Sequence, residues 1–185
     1  MHRSEMVNRL QSLVPHDHAV LFYSDIDHKR ELVFPFLQQA LENHGAAAYL
    51  SSHESLGEVR DAMRYWGIEV DKHESSRCPE VCGYEDFMTA EGGLDAAKIN
   101  QFLADLSKHK GSVRLASDPT ALAKRGLADE IVRIERLLRR RLRLPLTMVC
   151  PYEETVADLK SGEFLIKMMR THIQVVFLNL ALTLA

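Results

Sequence analysis

Short, almost wholly apolar runs alternate along this chain with longer amphipathic ones. That rhythm predicts strands covered on both faces and separated by helices. The apolar runs are Ala19 to Tyr23, Ala46 to Leu50, Val113 to Ser117, Pro145 to Val149 and Ile173 to Leu178. After the first run, Asp25 and Asp27 offer capping-type side chains ahead of a stripe of Leu32, Val33, Phe36, Leu37, Ala40 and Leu41, with Gly45 as the stop. Pro35 either delays that helix to about residue 32 or kinks it. A second helix is expected from Ser52 or Ser55, carrying Leu56, Val59, Met63 and Trp66, with Gly67 as its end. A third runs from Asp95 through Ile99, Phe102, Leu103 and Leu106 to Gly111. A fourth follows Asp118-Pro119-Thr120 with Leu127, Ile131, Ile134 and Leu138 on one stripe, and a fifth passes Leu159, Ile166, Met169 and Arg170 to His172. The fold class expected is α/β, a three-layer sandwich around a mainly parallel sheet of five or more strands. Residues 1–185 read as one domain, with 1–15 a polar lead-in (weakly helical through Met6, Leu10 and Leu13) and 71–93 an irregular, lid-like loop. A short strand around Val81 to Tyr84 could lie within that loop.

Composition narrows the function classes. A chain of 185 residues, 46% hydrophobic and 26% charged, has room for one substantial core. A net charge of −3 argues against a general electrostatic grip on nucleic acid or acidic membranes. The first residues contain no continuous apolar core of the secretory kind, and IQVVFLNLALTLA at the other end is too short to span a bilayer. Three cysteines without an export signal suggest reduced thiols and a cytoplasmic chain.

The first strand-to-helix turn, SDIDHKRE, has no glycine and puts carboxylates where a phosphate would need backbone N–H groups. No G-x-x-x-x-G-K-[ST] occurs, and Lys29 is the one lysine placed to reach a phosphate. Right-handed crossovers would bring Tyr23, Ser24, Ser51, Ser52, His53, Ser117, Asp118, Cys150 and Tyr152 to the carboxyl edge of the sheet, where ligands of such folds bind. That set suits a small, weakly polar ligand better than a triphosphate, although strand ends are polar in every protein of this class. His172 has two placements. A parallel fifth strand sets it near His16 and His18, a possible three-nitrogen metal site; an antiparallel one sets it beside Cys150 at the ligand edge. No carboxylate or cysteine completes the first set by spacing, and no metal is expected. Cys78-x3-Cys82, with His73 nearby, resembles half a zinc site and otherwise reads as loop thiols. A Cys150–His172 dyad lacks any nucleophile-elbow sequence to support it. The basic run RIERLLRRRLRL reads as a solvated or partner-facing helix surface; no recognition motif accompanies it, so nucleic-acid binding is not expected.

HAVLFY, the helix with Pro35-Phe36, AAAYLSSHESLGEVRDAM, GGLDAAKINQFL, CPYEE and RTHIQVV together resemble the MEDS domain, the sensory domain of methanogens, methylotrophs and the dichloromethane-responsive regulator DcmR. The resemblance covers most of residues 16–178 and implies a RecA- or KaiC-like fold with a degenerate phosphate loop. Its characteristic His and Tyr fall on His18 and Tyr23, and its later Cys and His on Cys150 and His172. CPEVCGYEDF departs from the family pattern by its paired cysteines. The function expected is a non-catalytic sensory module in prokaryotic signal transduction or transcriptional control. It would bind a small hydrocarbon derivative through His18, Tyr23, Ser24, Ser52, Asp118, Cys150, Tyr152 and His172. No cofactor is expected; a partner protein acting in trans would carry the output, and a homodimer is favoured. The alternatives are a residual nucleotide binder using Lys29 and a metal or redox switch using Cys78, Cys82 and His73.

Overall fold

The computed structural model describes residues 3–70, 80–141, 145–158, 162–172 and 174–177. Strands β1 (His18–Tyr23), β2 (Ala46–Ser51), β3 (Glu80–Gly83), β4 (Val113–Asp118), β5 (Leu146–Glu153) and β6 (Gln174–Phe177) form one sheet in the order β3-β2-β4-β5-β1-β6. Every pairing is parallel. All six residues of β1, β2 and β4 are buried, as expected of strands in a sheet covered on both faces, and in β1 and β4 this takes His18, Arg114, Ser117 and Asp118 inside as well. Helices α1 (Arg3–Gln11), α2 (Ile26–Glu42) and α3 (Leu56–Tyr65) cover the face bearing Ala19, Leu21, Tyr23, Tyr49 and Val149. Helices α4 (Ala96–Leu106), α6 (Ala128–Arg141) and α7 (Glu163–Thr171) cover the face bearing Val20, Phe22, Leu50, Leu115, Cys150 and Tyr152. The short α5 (Thr120–Leu122) and a π-type turn, Ala123–Leu127, lead into α6. Among the described residues, no helix is long and apolar enough to cross a membrane.

Several expectations change. Residues 1–15 are more than a lead-in, because Met6, Leu10 and Leu13 are buried and α1 packs on α2. The Arg114 guanidinium, from the middle of the sheet, donates to the carbonyls of Gln11, Leu13 and Phe36 and ties this segment down. The described part of the 71–93 loop is ordered: β3 extends the sheet, Tyr84–Phe87 forms a 3-10 turn, and Met88 bridges to Leu94. Helix α2 begins at Ile26 and runs through Pro35. In α7 the buried stripe is Phe164 and Met168, while Ile166 and Met169 are exposed. Residues 178–185, the rest of the apolar tail, lie outside the described part.

Gly45 is needed for a reason other than the helix stop expected of it. His44 takes the positive φ of 55° at the end of α2. Gly45 instead lies so close to the backbone entering β4 that a Cβ would sit 1.9 Å from the Ser112 carbonyl oxygen. Gly45→Ala should therefore push apart the amino ends of β2 and β4 and cost about 1–3 kcal/mol, as overpacking does. Urea unfolding followed by circular dichroism measures it, and an unchanged midpoint would show that this approach is not tight.

Candidate functional site

The turn after β1 is closed by its own side chains. Asp25 caps α2, its carboxylate accepting from the N–H groups of Asp27 and His28 at 2.8 and 3.1 Å. Those hydrogen bonds, the one from His28 foremost, hold the Asp25 carboxyl below its ordinary range. The amides that would cradle a phosphate are thus already used. One turn further, Lys29 is fully buried. Its ammonium donates to Asp118 Oδ2 at 3.0 Å and to Glu54, and it lies 4.9 Å from the centre of the Tyr23 ring. Tyr23 donates to the same Asp118 oxygen at 2.8 Å, and Tyr49 donates to Glu54 at 2.8 Å. Arg30 reaches the other Glu54 oxygen at 2.8 Å, and the Thr120 N–H donates to Asp118 Oδ1. Burial, reinforced by Asp118, pushes the Tyr23 phenol far up, so it stays a donor. The result is a closed ion cluster that joins β1, α2, the end of β4 and the loop before α3.

A second buried polar cluster lies on the opposite face. His18 opens β1, Cys150 sits in mid-β5 level with Val20, Glu135 projects from α6, and His172 caps α7. His18 Nε2 is 3.1 Å from Cys150 Sγ and 3.1 Å from Glu135 Oε2. His172 Nε2 is 3.6 Å from the same carboxylate oxygen, and the two imidazole centroids are 4.1 Å apart. Tyr152 donates to Glu135 Oε1 at 3.1 Å. Burial alone would raise the Glu135 carboxyl, but the His18 and His172 imidazoles outweigh it and hold the group at about 2. Burial, then the Glu135 charge, pushes the Cys150 thiol well up.

Beside this cluster a cavity of about 30 Å³ opens between the sheet and helices α4 and α6. Its walls are mainly apolar, with Leu50, Leu103, Leu115, Ile131, Ile134 and Leu138 among them, and its polar groups include Tyr84, Ser117 and Glu135. Tyr84 and Ser117 share a hydrogen bond between their hydroxyls. The space is about twice what a single water needs and admits a molecule of a few heavy atoms.

The residues expected to bind one ligand therefore divide between two faces. Tyr23 and Asp118 belong to the Lys29 cluster; His18, Cys150, Tyr152 and His172 belong to the Glu135 cluster. Cys150 is not at the carboxyl edge, because β5 runs on to Glu153 and leaves it in mid-strand. For the same reason His172, preceding a parallel β6, reaches both His18 and Cys150 rather than one of them. Ser24 is exposed and apart from both clusters, His16 is exposed, and the Ser52 hydroxyl accepts from the Ala121 N–H. Cys82 lies in β3 with its thiol pushed up to about 12, chiefly by burial and then by Glu80 and Asp86. His73 and Cys78 lie outside the described residues. Sequence reasoning missed Glu54, Glu135 and the burial of Lys29. A signal for Glu135 was present: it stands four residues after Ile131 and one after Ile134, on the apolar stripe itself.

An all-parallel sheet between two helical layers defines an α/β domain of RecA/KaiC-like fold, and its first strand-to-helix turn is capped from within. The chain belongs to the MEDS family, "MEthanogen/methylotroph, DcmR Sensory domain", whose model matches residues 17–173. Among solved structures, the chain is similar to the KaiC-like protein PH0186 from the hyperthermophilic archaeon Pyrococcus horikoshii OT3. That match has a TM-score of 0.62 and 12% identity, and covers 88% of this chain and 71% of that one. It is also similar to the flagellar accessory protein FlaH from Methanocaldococcus jannaschii (TM-score 0.57, 14% identity, 96% and 77% covered). A third, Project ID PH0250 from Pyrococcus horikoshii OT3, gives a TM-score of 0.58 at 10% identity, with 96% and 87% covered. No curated protein matches the chain.

Two predictions follow from the ion cluster. Lys29→Met strands Asp118 as a buried carboxylate without its cation, leaves Glu54 to Arg30 and Tyr49, and should cost about 3–5 kcal/mol, measured by urea unfolding at neutral pH. A loss below about 1 kcal/mol would mean the ammonium is dispensable. The second concerns pH. Burial works to raise Glu54, but Lys29, Tyr49 and Arg30 hold its carboxyl below the ordinary 4.5. A carboxyl lowered by folding contributes its full stability above 4.5 and loses it as pH falls through the lower folded value. Wild type should thus exceed Glu54→Gln in unfolding midpoint at neutral pH, with the gap closing on acidification. A gap constant from pH 7 to pH 3 would contradict this.

Proposed function

We propose that this domain is a non-catalytic sensor that holds a small, weakly polar organic molecule, of the hydrocarbon-derivative class, in the cavity between the sheet and helices α4 and α6. The cavity carries the reading. Its walls suit an apolar body of a few heavy atoms, and Tyr84, Ser117 and Glu135 give it a polar end for orientation. Membership of a family of sensory domains supports the role. Cys150 is fully buried in mid-strand, away from solvent, which favours binding over covalent chemistry. Asp25 and Lys29 are engaged within the protein, which weighs against a nucleotide as the ligand.

Occupancy would act on α6, since Ile131, Ile134, Glu135 and Leu138 form one wall of the cavity while Arg133 and Arg136 are exposed on the same helix. A ligand that fits one position of α6 better than another shifts the helix toward it. The arginine-bearing surface is then what a partner protein in signal transduction or transcriptional control would read.

Thermal unfolding with a panel of halomethanes, short alcohols and methylated compounds tests the proposal. A ligand that binds the folded form raises the midpoint with concentration, by about 2.7 kcal/mol of stability at a hundredfold excess over Kd. Leu103→Phe, which fills the cavity from α4, should fold and lose that response. No shift at millimolar levels across the panel, or a shift that Leu103→Phe leaves intact, would refute the site. A shift with magnesium-ATP instead would restore the nucleotide reading.

A further inference from the structure

The buried cluster behind the cavity has the composition and spacing of a metal site. His18, Glu135, Cys150 and His172 come from four separate elements, are all buried, and each offers a donor atom within 4.8 Å of the others. The donors are two imidazole nitrogens, a thiol sulfur and a carboxylate oxygen. We propose that these four side chains bind one divalent transition-metal ion of the zinc class. A tetrahedral shell with ordinary zinc bond lengths spaces nitrogen and oxygen donors about 3.3–3.4 Å apart and sets sulfur about 3.5–3.6 Å from them. Three of the six separations here are 3.1 Å from His18 to Cys150, 3.1 Å from His18 to Glu135 and 3.6 Å from His172 to Glu135, and all six are within 4.8 Å, so small side-chain shifts would close the shell.

The surrounding groups aim the donors. His172 turns Nδ1 to the Met168 carbonyl at 2.8 Å, the kind of backbone contact that orients a ligating imidazole, and directs Nε2 toward Glu135. Glu135 commits Oε1 to the Tyr152 hydroxyl, which leaves Oε2 facing both imidazoles. Charge supports the same conclusion. At the Lys29 cluster the protein neutralises Asp118 and Glu54 with its own ammonium. Among the described residues the partners of the Glu135 carboxylate are His18, His172, Cys150 and Tyr152, with no lysine or arginine. A divalent ion bound by one carboxylate and one thiolate gives a neutral buried unit, and the thiol proton leaves to solvent as the ion enters.

The proposal does not depend on the organic ligand, although Glu135 belongs to both places. It also differs from the His16, His18 and His172 set considered from sequence, since Glu135 and Cys150 stand where His16 does not reach. The bland reading is a hydrogen-bonded His–Glu–His core, indifferent to metal.

The 185-residue chain purified without an affinity tag, stripped with a chelator and titrated with zinc and cobalt separates the two. One equivalent of zinc should bind and raise the unfolding midpoint of the unaltered chain, a readout that needs no variant. Cobalt should give the intense visible bands of a tetrahedral ion and a sulfur-to-cobalt charge-transfer band. Cys150→Ser should abolish the charge-transfer band, whereas Cys78→Ser and Cys82→Ser should keep it. His172→Gln should weaken binding by more than the roughly 10–100-fold that follows loss of an orienting partner. No stoichiometric binding, a midpoint insensitive to zinc, or a cobalt band that survives Cys150→Ser or vanishes with Cys78→Ser or Cys82→Ser would overturn the site. The ligand panel, run on stripped and zinc-loaded protein, keeps failure of the sensor reading distinct from failure of this one.

Discussion

A carboxylate with no contact with water must be neutralised where it stands, and Asp118 imposes that condition on the carboxyl end of the sheet. It ends β4, fully buried, and receives the Lys29 ammonium and the Tyr23 hydroxyl on one oxygen. Lys29 can be there only if α2 starts at Ile26, and Asp25 fixes that start by capping the first amides. Glu54 completes the arrangement from the loop before α3, held in turn by Arg30 and Tyr49. Strand end, helix start and crossover loop are therefore set by one balance of charge. Breaking one member leaves the others buried and unpaired, which is why such clusters fix geometry more firmly than they add stability.

The same rule works differently on the other face. Glu135 is brought inside by α6, whose apolar stripe leaves no alternative once Ile131, Ile134 and Leu138 are buried. Its neighbours there are imidazoles and a thiol, groups whose charge depends on what binds them. One face thus supplies its own permanent cation, while the other holds a carboxylate among adjustable partners, next to the cavity. The proposed sensor site lies on the second face rather than the first.

Much of the fold was legible because buried parallel strands are written as continuous apolar runs, and the five expected runs fall on β1, β2, β4, β5 and β6. β3 was half hidden, having four residues among cysteines and glycine. α1 was undervalued because its three apolar positions stand among charges, and helical spacing alone does not show that another helix covers them. The site was legible residue by residue but not as an arrangement. Tyr23, Asp118, His18, Cys150, Tyr152 and His172 were all named, yet alternation within a strand assigns Tyr23 and His18 to opposite faces, and that consequence was not followed through. Lys29 and Glu135 were obscure for a common reason. A charged residue on an amphipathic helix reads as solvent-facing unless its partner is known, and these partners lie 89 positions away for Lys29–Asp118 and 17 for Tyr152–Glu135.

Structures only 10–14% identical share this scaffold, so what is common to them is the placing of strand ends and helix starts, not the chemistry laid on them. A phosphate turn works by keeping backbone amides unpaired until an anion arrives. Here Asp25 supplies the anion permanently, and Lys29 faces inward to Asp118 and Glu54. A turn closed in this way is held rigid by its own side chains. Any ligand-dependent change must then arise where packing is incomplete, and the cavity against α6 is such a place, with a helix as its wall and Glu135 at its polar end. In the proposed sensor the sheet is the rigid floor, and the helix lying over it carries the response.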